Sequence, residues 1–277
     1  MEKKILSPKL DVVFHMLFGE QKHERITKKL IEDVIEEKVE TIKLEENPIL
    51  WGEQVNDKVG IIDVRATINN KNPIDIEMQI ANNKNIEKRI LYYWAKLYLK
   101  QLNKGEDYNK LNRSIGIIFL DYKIEKLKSL PIHTKWQIRN TENGKEILTE
   151  DLEIHIIEIP KIREQIEVGN LKKWIMFLEN PMGEESKKMA KEDEEIKEAI
   201  DTLKEISNDE RSQRLAELRE KYIYDREAQL ETAKEKGIKE GIIRNNKEVA
   251  KKMKVEKIPI EIIEKITGLT KEEIEEL

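Results

Sequence analysis

Val59-Gly60-Ile61-Ile62-Asp63-Val64-Arg65-Ala66-Thr67-Ile68, Asn69-Asn70-Lys71-Asn72 and Pro73-Ile74-Asp75-Ile76-Glu77-Met78-Gln79-Ile80 follow one another without a break and carry the strongest structural signal in the chain. The first run alternates at period two, with Ile62, Val64, Ala66 and Ile68 on one side. The third alternates likewise through Ile74, Ile76, Met78 and Ile80. The Asn-rich run between them reads as a hairpin loop. A symmetric four-residue loop pairs residues whose numbers sum to about 141, so Asp63 falls opposite Glu77 or Met78 and shares a face with Glu77 and Asp75. Cross-strand neighbours lie roughly 5 Å apart, near enough for two carboxylates to hold one divalent cation. Three acids on one face of a hairpin repel unless something positive lies between them. The alternation leaves two readings open: a metal site, or a polar face turned to solvent.

The chain of 277 residues allows one sizeable domain and an appendage. Charged residues make up 39% and aromatic ones 5%, so much of the chain is expected as exposed helix. The net charge of −5 is uneven, since residues 1–180 balance at 30 basic against 30 acidic and the remainder holds the excess. Residues 84–139 carry 13 basic and 5 acidic side chains, a local charge that suits phosphate and equally a solvated lysine-rich helix. The absence of cysteine excludes disulfides, zinc–thiolate sites and cysteine nucleophiles. No run has the length of a signal peptide core or a membrane span, and a cytoplasmic protein is expected.

Leu10, Val13, Phe14, Leu17 and Phe18 predict a helix over 9–19, and Ile26, Leu30, Ile31, Val34 and Ile35 a second over 22–38. A strand is expected at 49–55, ahead of the hairpin. A long helix at about 84–103 uses Ile86, Ile90, Tyr93, Trp94, Leu97 and Leu102. Residues 113–121 read as a buried strand. Strands at 135–139 and 152–159, joined across Asn143-Gly144, and a helix at 170–178 complete the core. Residues 184–240 are Glu- and Lys-rich with a narrow apolar seam, able to pack on the core or self-associate, and Gly237 to Gly241 reads as a turn. Three helical pieces follow, at about 246–254, from Pro259 and from Thr270, whose spacing to Glu273 makes a capping box. The expected divisions are 1–180, 181–243 and 244–277. The fold class is α/β, a mixed central sheet flanked by helices, with an all-helical C-terminal extension.

An acid in the second strand and an acid-x-polar triplet in the third, within helix–three strands–helix–strand, resemble the restriction-endonuclease-like core of PD-(D/E)XK nucleases. Ser7-Pro8-Lys9-Leu10-Asp11-Val12-Val13-Phe14 with Leu17-Phe18-Gly19 resembles the opening of one branch, the recombination-promoting nuclease/putative transposase family. Ile76-Glu77-Met78-Gln79 is similar to its third-strand motif. Arg89 with Tyr92-Tyr93, and Gln101-Leu102 with Gly105 and Tyr108, resemble the helix that follows. The resemblance implies Asp63 and Glu77 as Mg²⁺ ligands, with the Met78 carbonyl completing the shell and Mn²⁺ a possible substitute. It also implies DNA as the substrate. Gln79 stands where the superfamily often has Lys; it can orient a water but cannot neutralise the charge that develops on phosphorus. Activity would then be slow, or lean on a second metal or on Arg65. Asp11 is either a third acid or a helix-end charge complementing the macrodipole. His15 reads as a partly buried side chain.

Two functions from different classes follow. One is a Mg²⁺-dependent DNA endonuclease of recombination or mobile elements. The other is a catalytically weak or inactive nucleic-acid-binding protein whose helical tail mediates homo-oligomerisation. A helical partner-binding protein with an incidental sheet is a third. No phosphate-binding glycine loop is present, so no nucleotide cofactor is expected, and no serine-hydrolase elbow accompanies the four histidines.

Overall fold

The computed structural model describes residues 4–45, 64–81, 85–164 and 169–277. They form two compact units, Met1–Glu220 and Lys221–Leu277. No helix among the described residues is long and apolar enough to cross a membrane.

The first unit is built on a mixed six-stranded sheet: β1 (Ile42–Leu44), β2 (Val64–Ile68), β3 (Asn72–Gln79), β4 (Ser114–Leu120), β5 (His133–Arg139) and β6 (Ile147–Glu158), in the order β1-β2-β3-β4-β6-β5. The β1–β2, β2–β3 and β5–β6 pairs are antiparallel, while β3–β4 and β4–β6 are parallel. The hairpin forms with a one-step change of register. Val64 pairs with Ile76 and Ile68 with Asn72, because Asn72 already belongs to the strand. Asn69 and Asn70 both take positive φ, 51° and 60°, which Asn tolerates better than other side-chain-bearing residues. Lys71 N–H closes the turn onto the Ile68 carbonyl at 3.1 Å. The Asn69 side chain accepts from Glu40 N–H at 2.8 Å and ties the turn to the segment ahead of β1. The expected strand at 49–55 lies outside the described residues; β1 was not anticipated.

Alternation along β4 separates the two faces of the sheet. Two helices, α1 (Asp11–Phe18) and α2 (Glu24–Ile35), precede the hairpin, and Ile118 and Leu120 pack with Ile86 and Ile90 of the next, α3 (Ile86–Leu99). Phe119 points the other way, 5.9 Å from Phe14 of α1. On that second face Phe18 meets Trp174 of α4 (Leu171–Glu179) edge-on at 6.0 Å. The Trp174 indole donates to Asp33 of α2 at 2.9 Å. The short helix α5 (Glu184–Met189) leads to α6 (Glu194–Asn208), which buries Ile196, Ala199, Ile200, Leu203 and Ile206 and packs on α1 and α2. Of the two expectations for the apolar seam, packing on the core is the one realised in α6.

Helix α3 buries Ile86, Ile90 and Leu97, worth about 1.5–3 kcal/mol each. Its far end is fixed by polar contacts: Trp94 donates to the Ser114 carbonyl at 2.8 Å, Tyr98 to Asp151 at 2.7 Å, and Gln101 to the Asn112 carbonyl at 3.0 Å. Those bonds set which α3 side chains look down on β3.

The chain continues as α7 (Glu210–Val255), helical straight through Gly237 and Gly241, so the turn expected there does not occur. An isolated glycine costs a helix roughly 1 kcal/mol against alanine without breaking it. In the second unit the end of α7 packs with α8 (Ile260–Thr267) and α9 (Lys271–Glu275) around Ala250, Ile263, Leu269 and Ile274. The Thr270–Glu273 capping box forms as the spacing predicts, and Gly268 closes α8 with φ of 68°.

Candidate active site

Asp75, Glu77 and Gln79 stand at alternate positions of β3, paired with Gly116, Ile118 and Leu120 of β4, and so face α3. Asp75 and Glu77 are only 8% and 6% exposed. The solvated polar face that alternation allowed is therefore not what forms: α3 closes over the acids. Buried carboxylates need a counter-charge, and two arginines provide it. Arg89, on the first turn of α3, reaches Glu77 Oε1 with Nη2 at 2.6 Å and Nε at 3.1 Å. Its guanidinium carbon lies 4.8 Å from the centre of the Tyr93 ring one turn on, a cation–π contact. Arg65 Nε of β2 approaches Asp75 Oδ1 at 3.4 Å, a looser contact. Burial pushes the Asp75 carboxyl up to about 6, against the pull of Arg65 and with the charge of Glu77 adding to the rise.

Gln79 is half-buried at the end of β3, and its Nε2 donates to the Ala81 carbonyl at 3.2 Å. Met78 turns its side chain into the opposite, α1 face, where it is buried. Asp63 lies outside the described residues. Asp11 opens α1, and its Oδ1 accepts from its neighbour Val12 N–H and from Arg219 Nε of α7, both at 2.9 Å; Arg219 Nη2 binds Oδ2 as well. The contacts of Asp11 among the described residues join it to Arg219 and not to Glu77. His15 is buried at 5% exposure, as expected.

Among the described residues no group of three or more His, Asp or Glu is arranged to hold a metal ion, and the second-strand acid of the expected pair is not among them. The donor chemistry that is described fits a hard cation. Glu77 offers a carboxylate whose two Arg89 contacts both fall on Oε1, so Oε2 is the oxygen suited to a ligand role beside the Met78 carbonyl.

A second ionic cluster, not foreseen from the sequence, lies across the sheet. Glu153 and His155 of β6 pair with Ile115 and Ile117 and so share the α1 face. Glu153 accepts from Arg113 at 2.6 Å, His155 Nε2 at 2.8 Å and Lys135 at 2.9 Å. Burial alone would raise its carboxyl, but these three donors outweigh it and hold it at about 2. His155 Nδ1 lies 2.8 Å from His133 Nε2 on β5. Burial, the neighbouring His155 and Lys135 bring His133 down to about 4. Arg219 and this cluster left no sequence signal, because their partners are distant in the chain and single charged residues have no periodicity.

No curated protein and no solved structure matches the chain. The family model described as PD-(D/E)XK nuclease family transposase matches residues 8–233, which takes in α1, the whole sheet, the acids of β3 and Arg89, and the chain belongs to that family.

Proposed function

We infer that this protein is a Mg²⁺-dependent DNA endonuclease serving recombination or mobile elements, with Asp63 and Glu77 as the metal ligands and the Met78 carbonyl completing the shell. Nucleases of this superfamily generally use divalent metals. The observation that carries the reading is Glu77, a carboxylate buried on the third strand of the sheet and held in a fixed orientation by the Arg89 fork. Mg²⁺, or Mn²⁺ in its place, would supply a Lewis acid at a phosphate oxygen and lower the pKa of a water bound there. Glu77 contributes a preorganised hard oxygen, and Arg89 keeps that oxygen from reorienting as charge develops nearby. Gln79 holds and orients a water by hydrogen bonding, once its amide leaves the Ala81 carbonyl. Asp11 joins as a third acid where Arg219 releases it. Lys88, Lys96 and Lys100 stand exposed along α3 and provide charge for the DNA backbone.

The neutral Gln79 supports a second reading, a weak or inactive DNA-binding protein that oligomerises through its helical tail. Supercoiled plasmid separates the two. The native chain is expected to nick it with Mg²⁺ or Mn²⁺, and Asp63→Ala and Glu77→Ala each to abolish nicking. Plasmid bound but left intact by all three proteins would favour the second reading.

A further inference from the structure

We propose that Arg89 is a catalytic residue: its guanidinium contacts the scissile phosphate and supplies the positive charge that Gln79, at the end of the third strand, cannot. The inference rests on the nuclease reading above and names the group that stabilises its transition state. A neutral amide cannot offset charge gathering on the phosphoryl oxygens, and the Gln79 amide is engaged with the Ala81 carbonyl. The cation on this face comes instead from α3. Arg89 holds Glu77 Oε1 through Nη2 and Nε, and Glu77 and Gln79 are alternate residues on one face of β3, roughly 7 Å apart along a strand. The charge is therefore delivered one side-chain spacing from where a third-strand cation would stand.

Three features suit Arg89 to phosphate rather than to charge compensation alone. Its side chain is 25% exposed while that of Glu77 is 7%, so the arginine is the more accessible member of the pair. Its guanidinium lies in cation–π contact with Tyr93, and a planar fork of five donors suits phosphate oxygens while still holding a carboxylate. Arg65 is the weaker candidate, because it pairs with Asp75, two residues farther from Gln79, and at 3.4 Å.

The test compares the native chain with Arg89→Met, Arg89→Lys and the double variant Arg89→Met with Gln79→Lys. Mg²⁺ binding is measured by calorimetry without DNA. Duplex affinity is measured with Ca²⁺ in place of Mg²⁺, and cleavage in a single turnover at saturating Mg²⁺ and DNA. Removing a cation beside Glu77 should leave Mg²⁺ binding as tight or tighter. The same change should weaken duplex binding and slow cleavage by about a hundredfold. Weaker duplex binding in Ca²⁺ together with slower cutting at saturating Mg²⁺ is a pair of effects that a residue serving only to position Glu77 does not produce. Arg89→Lys should recover part of the rate, and Gln79→Lys should raise cleavage by Arg89→Met more than it raises that of the native chain. Should Arg89→Met not fold, Arg89→Lys with and without Gln79→Lys carries the same comparison. Cleavage by Arg89→Met at the native rate, or a deficit cured by more Mg²⁺, overturns the proposal, as does the absence of any gain from the lysine at 79. A native chain that cuts no DNA with either metal removes the nuclease reading itself and this inference with it. That result is distinct from a native chain that cuts and an Arg89→Met chain that cuts equally well.

Discussion

Among the described residues, the buried acids on the sheet strands all have basic partners: Glu77 has Arg89, Asp75 has Arg65, Glu153 has Arg113 and Lys135, and Glu158 has Lys161. The pairing at Asp11 has a different character. Asp11 and Arg219 are each 16% exposed, so the pair is partly desolvated, and it joins the first helix to a residue 208 positions later. Removing either partner takes a counter-charge from the other in a partly buried place. Asp11→Asn and Arg219→Met are each expected to lower stability by about 1–2 kcal/mol, between the values for exposed and buried pairs. Urea unfolding of the two single variants and the double variant measures this, and the double variant should cost less than the sum of the singles. Cleavage assays on the same proteins distinguish the catalytic role. A third acid loses cutting in Asp11→Asn alone, whereas an anchor for α7 loses it in neither variant at a temperature where both are folded.

At the level of elements, the β5–β6 pair forms the far edge of the sheet, and its registry at His133–Ile157 and Lys135–His155 brings two imidazoles together. Glu153 Oε1 lies 2.8 Å from His155 Nε2, which leaves His155 Nδ1 turned to His133 Nε2, also at 2.8 Å. The groups facing His133 are His155 on β6 and Lys135 on its own strand, with Lys29, Glu32, Asp33, Glu36, Glu37 and Lys38 around the adjoining cleft. A histidine held below its ordinary 6.5, at about 4, contributes stability that is present above pH 6.5 and is lost as pH falls toward 4. Asp75 acts with the opposite sign, contributing below its ordinary value and losing that contribution as pH rises through about 6. The native curve sums the two, and His133→Gln isolates the first. Between pH 7 and pH 5 its loss of unfolding free energy should be smaller than the native loss by about 1 kcal/mol, reduced from the full shift because the ring is partly exposed. Parallel slopes for the two proteins would show that the imidazole pair carries no such linkage.

The hairpin, β4, α3 and α4 were legible in the sequence because each buries a face with a clear period, and their bounds follow the apolar residues. The register differed by one step because two consecutive asparagines at positive φ shorten the loop. β1 has three residues, too few to display a period. The acids of β3 were legible as a group, but their burial was not, since a helix that covers a strand face leaves no mark on the strand. The arginines that neutralise them were readable only as members of a motif or as isolated charges.

For the whole molecule the open matter is what sustains the middle of α7, where almost every residue from Tyr224 to Lys247 is exposed. A helix segment polar on most faces gains little from packing, and exposed ion pairs add only about 0.3–0.5 kcal/mol each. Lys236–Glu240 is an i,i+4 pair in this stretch, at a loose 3.9 Å, and Gly237 and Gly241 work against the helix. Leu230, Ile238 and Ile242, between 53% and 60% exposed, are apolar surface that a second copy of the chain would cover. If the tail mediates homo-oligomerisation, helix formation and association are coupled, and the stability of this segment depends on protein concentration. Amide hydrogen exchange should then be fast across 224–245 in dilute solution and slow as concentration rises, while the amides of β4 stay protected throughout. Ile242→Glu should remove the concentration dependence without altering exchange in β4. Fast exchange at every concentration would mean that the tail stands alone and that the apolar residues of α7 have another partner or none.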